Sequence, residues 1–397
     1  MSWRSILLSD VADFSNGINF DKSAYSEGIK LISVANFGNR FSPDYDELQE
    51  VSKDAVRATD YLQDGDIVFV RSNGNKELVG RCMLIKNPQF HVTYSGFCIR
   101  ARIKDSKKFN PVFFTYYFKN NTFRKAMTGT AVGSNIQNLS QSRLSKHIAS
   151  VPDIYTQDRI AAVLSAYDDL IESNQKQIKL LEEAAQRLYK EWFVDLRFPG
   201  HENITITDGI PEGWTVQSMN DIAEYINGYA FKPTDWGTVG KPIIKIKEMG
   251  SGVTTDTPRN TGEGIPEKYN VTAGDILFSW SATLSAMIWD EEDGLLNQHL
   301  FKVIPGEGIS REFVFQSILK TLDEFSNLTT GSTMKHIQRG KLKEVKVNVP
   351  PTELMEQYRN ISKPIRERIL NVKQQTILLR EARDRLLPKL MSGEIEV

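Results

Sequence analysis

The polar side chains best placed to do chemistry gather in four short loops. The first, Arg71 to Lys76, follows the apolar run that begins at Ile67 and offers Arg71, Asn73 and Lys76. The second, GTAVGSNIQNLSQSRL at 129–144, offers Ser134, Asn135, Gln137 and Arg143. In the second half of the chain, Ser279 to Thr283 offers Ser279 and Ser281, and GSTMKHIQRGKL at 331–342 offers Lys335, His336, Gln338 and Arg339. Small residues let backbone amides approach a phosphate, Arg and Lys neutralise it, and Asn, Gln, Ser and His pair with phosphates or base edges. Charge follows the same plan. Between 119 and 146 stand Lys119, Arg124, Lys125, Arg143 and Lys146 with no acid, and between 331 and 346 stand Lys335, Arg339, Lys341, Lys343 and Lys346 against Glu344 alone. Such clusters can neutralise phosphates even on an acidic domain. Either cluster alone fits a solvated surface as well.

Residues for bond-breaking chemistry are sparse. His91, His147, His201, His299 and His336 are isolated, without metal-ligand spacing, and neither GxxxxGK[ST] nor a strand-coupled GxGxxG occurs. Asn87-Pro88-Gln89-Phe90 lacks the second proline of the tetrad expected of an amino-methyltransferase. Asp323 with Glu344-Val345-Lys346 is a nuclease-like fragment, but its counterpart in the first half is Lys146-His147-Ile148. Ser134 and Ser332 have no His and Asp around them to make a nucleophile. We therefore expect no catalytic residues and no metal site in this chain.

The chain has 397 residues, enough for two or three domains. Its net charge of −1 hides a contrast: residues 1–155 hold 20 Lys and Arg against 15 Asp and Glu, and residues 201–353 hold 14 against 21. Cys82 and Cys98 are the two cysteines, which suits a reducing compartment. MSWRSILLSD has no apolar h-region and no run of 18 apolar residues follows, so the expectation is a cytoplasmic protein without membrane contact.

The elements that must position these loops occur twice. VPDIYTQDRIAAVLSAYDDLIESNQKQIKLLEEAAQRLYKEWF, from Val151 to Phe193, aligns without a gap on Val349 to Met391, 198 residues later. The first copy carries Leu164, Tyr167, Ile171, Asn174, Ile178, Leu181, Ala185, Leu188 and Trp192 at alternating three- and four-residue steps, a heptad seam. The second carries Ile365, Ile369, Val372, Thr376, Leu379, Arg383, Leu386 and Leu390. A helix of about 38 residues spans roughly 55 Å, more than a small core needs, so both helices read as spacers. Asn174 is a candidate for fixing register, although a solvated position explains it equally. Trp-containing openings at 3–20 and 214–231 also correspond, each with Asn-Gly and a final Phe, as do YLQDGDIVFV and YNVTAGDILF. The expected organisation is α+β: a globular domain at 1–155, a spacer helix at 156–193, a linker at 194–212, a second globular domain at 213–351 and a second spacer helix at 352–397.

This arrangement resembles the specificity subunit of type I restriction-modification enzymes, over essentially the full length. The specific features are LLEEAAQRLYKEWF, Pro-Glu-Gly-Trp at 211–214 and LLREARDRLLPKLMSGEI; Gly-Asp-Ile-Leu-Phe is less specific. The resemblance implies a non-catalytic subunit with two target recognition domains in pseudo-twofold repeat, each reading one half of a bipartite, asymmetric double-stranded DNA target. It implies two long antiparallel helices that set the gap and dock two methyltransferase subunits, through which nuclease subunits join. S-adenosylmethionine, ATP and magnesium would then belong to the partners. The alternative, a coiled-coil adaptor that bridges proteins without touching DNA, explains the helices but not a basic glycine loop repeated in both domains.

Overall fold

The computed structural model describes residues 3–397 apart from 39, 76, 129–136, 282 and 328–338, and describes the backbone alone at 128, 137 and 339. The chain forms two compact units, Met1–Glu172 with Ile377–Val397, and Ser173–Thr376. Each holds one globular domain and one stretch of each long helix.

The first unit contains, in order, β1 (Arg4–Leu7), β2 (Ala12–Asn16), β3 (Ile67–Val70), β4 (Ser72–Asn73), β5 (Cys82–Leu84), β6 (Cys98–Ile103), α1 (Pro111–Lys119), α2 (Asn121–Thr128), β7 (Gln137–Asn138), β8 (Ile148–Val151) and the start of α3 (Ile154–Tyr189). β1 pairs antiparallel with β8, closing the domain, and a four-stranded antiparallel sheet runs β2-β6-β3-β5. The second unit repeats the plan with β9 (Thr215–Ser218), β10 (Ala223–Asn227), β11 (Ile276–Ser279), β12 (Ser285–Ile288), β13 (Leu300–Pro305), α4 (Arg311–Lys320), β14 (Lys346–Val349) and the start of α5 (Thr352–Ser392). Here β9 pairs with β14, and the sheet runs β10-β13-β11-β12.

The repeated motifs have local physical causes. Gly65 and Gly274 sit at φ +83° and +95°, a left-handed turn that glycine enters without Cβ strain. The following Asp closes that turn: Asp66 accepts from Gln63 N at 2.7 Å and Asp275 from Thr272 N at 2.9 Å. Each then holds a cation on the neighbouring strand, Arg102 on β6 in a bidentate pair at 2.8 and 2.7 Å, and Lys302 on β13 at 3.1 Å. The Ile-(Val or Leu)-Phe that follows is a fully buried strand in both units. The Asn-Gly pairs mark close backbone approach: a Cβ on Gly17 would stand 2.2 Å from the Ser95 carbonyl oxygen, and one on Gly228 2.1 Å from that of Asn297.

Val151-Pro152 and Val349-Pro350 stop the last strand of each domain and let the long helix start at Ile154 and at Thr352. In the second unit Asn174 Nδ2 donates to Thr376 Oγ1 at 3.2 Å, and Trp192 packs on Tyr358 with ring centroids 5.9 Å apart. Ascending numbers on α3 meet descending numbers on α5, so the helices are antiparallel. Val372 and Thr376 are buried at this seam, whereas Ile178, Leu181, Leu188, Ile365 and Ile369 are half-buried, as are Leu379 and Leu386 in the first unit. Among the described residues, no helix is long and apolar enough to cross a membrane.

In the first unit the seam holds a charge. Leu164 and Ile171 are buried as the heptad requires, but the position covered between them is Asp168, only 7% exposed, while Tyr167 is half-buried. Position 168 lies one turn beyond Leu164, and its carboxylate is acceptable there because both oxygens are bonded. Tyr116 on α1 donates to Oδ2 at 2.5 Å, and Arg383 on α5 donates to Oδ1 at 2.5 Å. The second unit is tied in a related way: Glu312 on α4 accepts from Arg366 Nε on α5 at 2.6 Å and from Ser310 Oγ at 2.7 Å. Removing one partner of such a pair strands a buried charge, whereas removing both leaves an apolar contact. Asp168→Ala is expected to cost about 3–5 kcal/mol, and Asp168→Leu combined with Arg383→Leu to cost less than either single change, as measured by urea denaturation.

Candidate nucleic-acid interface

Arg71 stands where the buried strand β3 ends. Its backbone N donates to Phe97 O at 2.8 Å, and its Nη1 to Gly96 O at 3.2 Å, so the guanidinium is anchored over the turn that precedes β6. Its carbonyl accepts from Leu139 N at 2.8 Å. β4 and β7 form an antiparallel ladder, Asn73 opposite Gln137 and Ser72 opposite Asn138. Two of the loops singled out in the sequence, more than 50 residues apart, therefore share one edge. Asn73 Oδ1 accepts from Asn75 N at 2.7 Å, and Asn75 Oδ1 from Glu77 N at 3.0 Å, successive side-chain turns that set the loop's path. Arg143 Nη2 donates to Ala126 O at 2.7 Å and ties the short helix Gln141–Ser145 to the end of α2.

Phe97, beside Arg71, is 59% exposed. A large aromatic held at the surface next to an anchored guanidinium offers a stacking face. Sequence reasoning passed over it, because Phe97 adjoins the buried run that starts at Cys98 and reads as part of it.

In the second unit the expectation for the serines is corrected. Ser279 and Ser281 are 0% and 3% exposed, and Ser279 Oγ donates to the Ser281 carbonyl at 3.1 Å, so neither hydroxyl faces outward. The reason is that β11, paired on both edges, is covered on both faces: Ser279 is the last residue of a strand whose four side chains are all buried. Trp280 is the half-exposed residue of this turn; its Nε1 donates to Asn227 Oδ1 at 3.2 Å, and its ring centroid lies 6.0 Å from that of His299.

The strand registers place these residues in equivalent positions. Val70 lies opposite Cys98 in the first unit and Ser279 opposite Leu300 in the second. Arg71 thus corresponds to Trp280, and Phe97 to His299. One scaffold position carries a cation and an apolar ring in one copy, an indole and an imidazole in the other.

Lys76, Ser134, Asn135, Lys335, His336 and Gln338 lie outside the described residues, and of Gln137 and Arg339 only the backbone is described, in β7 and in the turn Arg339–Lys343. The nuclease-like fragment shows no assembled metal site: Glu344 Oε1 pairs with Lys341 Nζ at 2.7 Å, Asp323 is exposed on the helix Leu322–Asn327, and among the described residues no group of three His, Cys, Asp or Glu side chains converges.

Comparison with known proteins fits this double scaffold. The family model for the type I restriction modification DNA specificity domain matches residues 2–183 and again 211–376, one match for each copy. The chain is 26% identical to the type I restriction enzyme MjaIX specificity subunit of Methanocaldococcus jannaschii, over 71% of this chain and 68% of that one. It is 22% identical to the type I restriction enzyme HindI specificity subunit of Haemophilus influenzae, over 99% of each. Its fold is similar to the crystal structure of a type I restriction-modification system S subunit from M. genitalium, with a TM-score of 0.59, 15% identity, and coverage of 98% of this chain and 96% of that one. The duplicated sheet, the paired long helices and a family match that falls twice on the sequence place this chain among the DNA specificity subunits of type I restriction-modification systems.

Proposed function

We propose that this chain reads a bipartite, asymmetric DNA target, one half with each globular domain, and contributes no bond-breaking chemistry of its own. The observation that carries this reading is the equivalence of Arg71 with Trp280 and of Phe97 with His299. A homodimer presents identical side chains to both half-sites and reads a palindrome. Two copies in one chain hold the same scaffold while their reading positions differ, so their half-sites differ.

The antiparallel helices act as the ruler between the half-sites, and their exposed faces dock two methyltransferase subunits, through which nuclease subunits join. S-adenosylmethionine, ATP and magnesium are then bound by those partners. The chain acts in the cytoplasm, where the DNA is. An adaptor that bridges proteins without DNA contact would have no use for an exposed Phe97 beside an anchored Arg71.

Sequencing the methylated sites in a host that expresses this chain with its methyltransferase gives the target directly; a single contiguous or palindromic motif, or no motif, would sink the proposal. Arg71→Ala is expected to relax base preference in one half of that target and Trp280→Ala in the other, each by about 1–3 kcal/mol of discrimination. A change spread over both halves from either variant contradicts the division of labour. Adding one heptad to both helices lengthens the ruler by about 10 Å, on the order of three base pairs. The methylated motif is expected to keep its two halves and change its gap.

A further inference from the structure

The first unit contains a cleft that reading bases does not account for. It lies where the end of α1 and the start of α2 meet the C-terminal part of α5, and encloses about 320 Å³. Arg81, Lys119, Arg124, Arg380 and Arg383 line it, and the carboxylate among its lining residues is Asp384. That carboxylate is already bonded to Arg383, at 3.0 Å from Nε and 2.8 Å from Nη2.

Three of the other cations donate to backbone carbonyls. Lys119 Nζ donates to Arg40 O at 3.0 Å, Arg81 Nε to Glu77 O at 3.1 Å and Arg124 Nη2 to Glu77 O at 2.8 Å. The carbonyls bonded to Lys119 and Arg81 fix the direction of these groups without neutralising them. Arg380 makes no hydrogen bond or ion pair with another described residue, although it is half-buried. Burial first, then repulsion from neighbouring guanidinium groups, holds Arg81 and Arg380 below the ordinary arginine range, and burial does the same to Lys119.

The fold does not require this charge. Through the 198-residue repeat Arg380 corresponds to Glu182 and Arg383 to Ala185, and along the domain helices Lys119 corresponds to Leu319. The matching cleft of the second unit, about 240 Å³, is lined by Glu182, Ala185 and Leu319. Its two cations are matched by carboxylates, Arg366 by Glu312 at 2.6 Å and Lys373 by Asp290 at 2.9 Å. The same cavity is thus charge-balanced in one copy and left with an excess of guanidinium groups in the other.

We propose that the cleft of the first unit is a phosphate-binding site. Several planar guanidinium forks and an ammonium converging in a partly desolvated cavity match the tetrahedral, multiply accepting oxygens of phosphate better than a lone carboxylate. Its occupant is either a backbone phosphate of bound DNA, in which case the site rests on the DNA-reading proposal, or a free phosphate or phosphate ester. Occupancy would offset the repulsion across the cleft and fasten the recognition domain to α5.

Full-length wild type, Arg380→Gln and Arg380→Lys are compared in two assays. In the first, inorganic pyrophosphate is titrated against chloride at equal ionic strength and Tm is followed; a free-phosphate site gives wild type a rise of about 2 °C at ten times Kd, absent in Arg380→Gln and retained in part by Arg380→Lys. In the second, binding to a random-sequence duplex is measured across salt concentrations; a DNA phosphate in the cleft lowers the salt slope of Arg380→Gln by about 0.9 with Arg380→Lys near wild type. Either result supports the site and identifies its source. If Arg380→Gln and Lys119→Gln match wild type in both assays, the proposal is overturned, while duplex binding by wild type shows separately whether the DNA-reading proposal stands.

Discussion

A buried carboxylate ties each recognition domain to the long helices, through Tyr116 in the first unit and through Arg366 in the second, and the domain's seat on the helices depends on it. In the first unit Asp168 draws in Tyr116 from the domain and Arg383 from the opposite helix. In the second, Glu312 on the domain helix is held by Arg366. Taking these charges out of water costs several kcal/mol per ion and is offset only when geometry and hydrogen bonding are nearly complete. That demand gives directional specificity. A purely apolar contact between α1 or α4 and the long helices would tolerate sliding by a turn; a carboxylate with both oxygens assigned does not.

Duplication separates what the backbone requires from what recognition requires. Glycine at 17 and 228 answers a steric demand, since a neighbouring carbonyl oxygen occupies the space of a Cβ. The Gly-Asp turns answer another, a left-handed residue followed by a carboxylate that closes the turn and pairs across the sheet. These residues recur because the same fold cannot be built without them. At the tips of the same strands no such demand operates. Arg71 and Trp280, or Phe97 and His299, occupy one geometry with unrelated chemistry, a freedom that the shared backbone leaves open.

Electrostatics follows the same division. A chain with a net charge of −1 gives no hint of a polyanion partner, yet the first unit gathers Arg81, Lys119, Arg124, Arg380 and Arg383 around a single cleft. Field strength at a site is set by the charges within a Debye length, about 8 Å at physiological salt, rather than by the total. Arg380 and Arg383 reach that cleft from a position more than 260 residues after Lys119, so the cluster exists only after folding.

The amino-acid sequence by itself determined the architecture: a heptad period, Val-Pro junctions and paired motifs at a fixed offset are local or repetitive signals that need no knowledge of packing. It also marked Asn174 and Thr376 as polar points on the seam, which bond to each other. Two kinds of fact waited for the tertiary structure. Contacts between distant segments, such as the β4-β7 ladder that brings Asn73 opposite Gln137, or Asp168 meeting Arg383, depend on chain closure that no local period encodes. The direction of individual side chains at strand ends was the other. Ser279 and Ser281 read as exposed donors because they are small, polar and follow an apolar run, yet the sheet carries them inward and presents Trp280 instead. A residue's polarity fixes what it can bond; only its neighbours in space decide which way it turns.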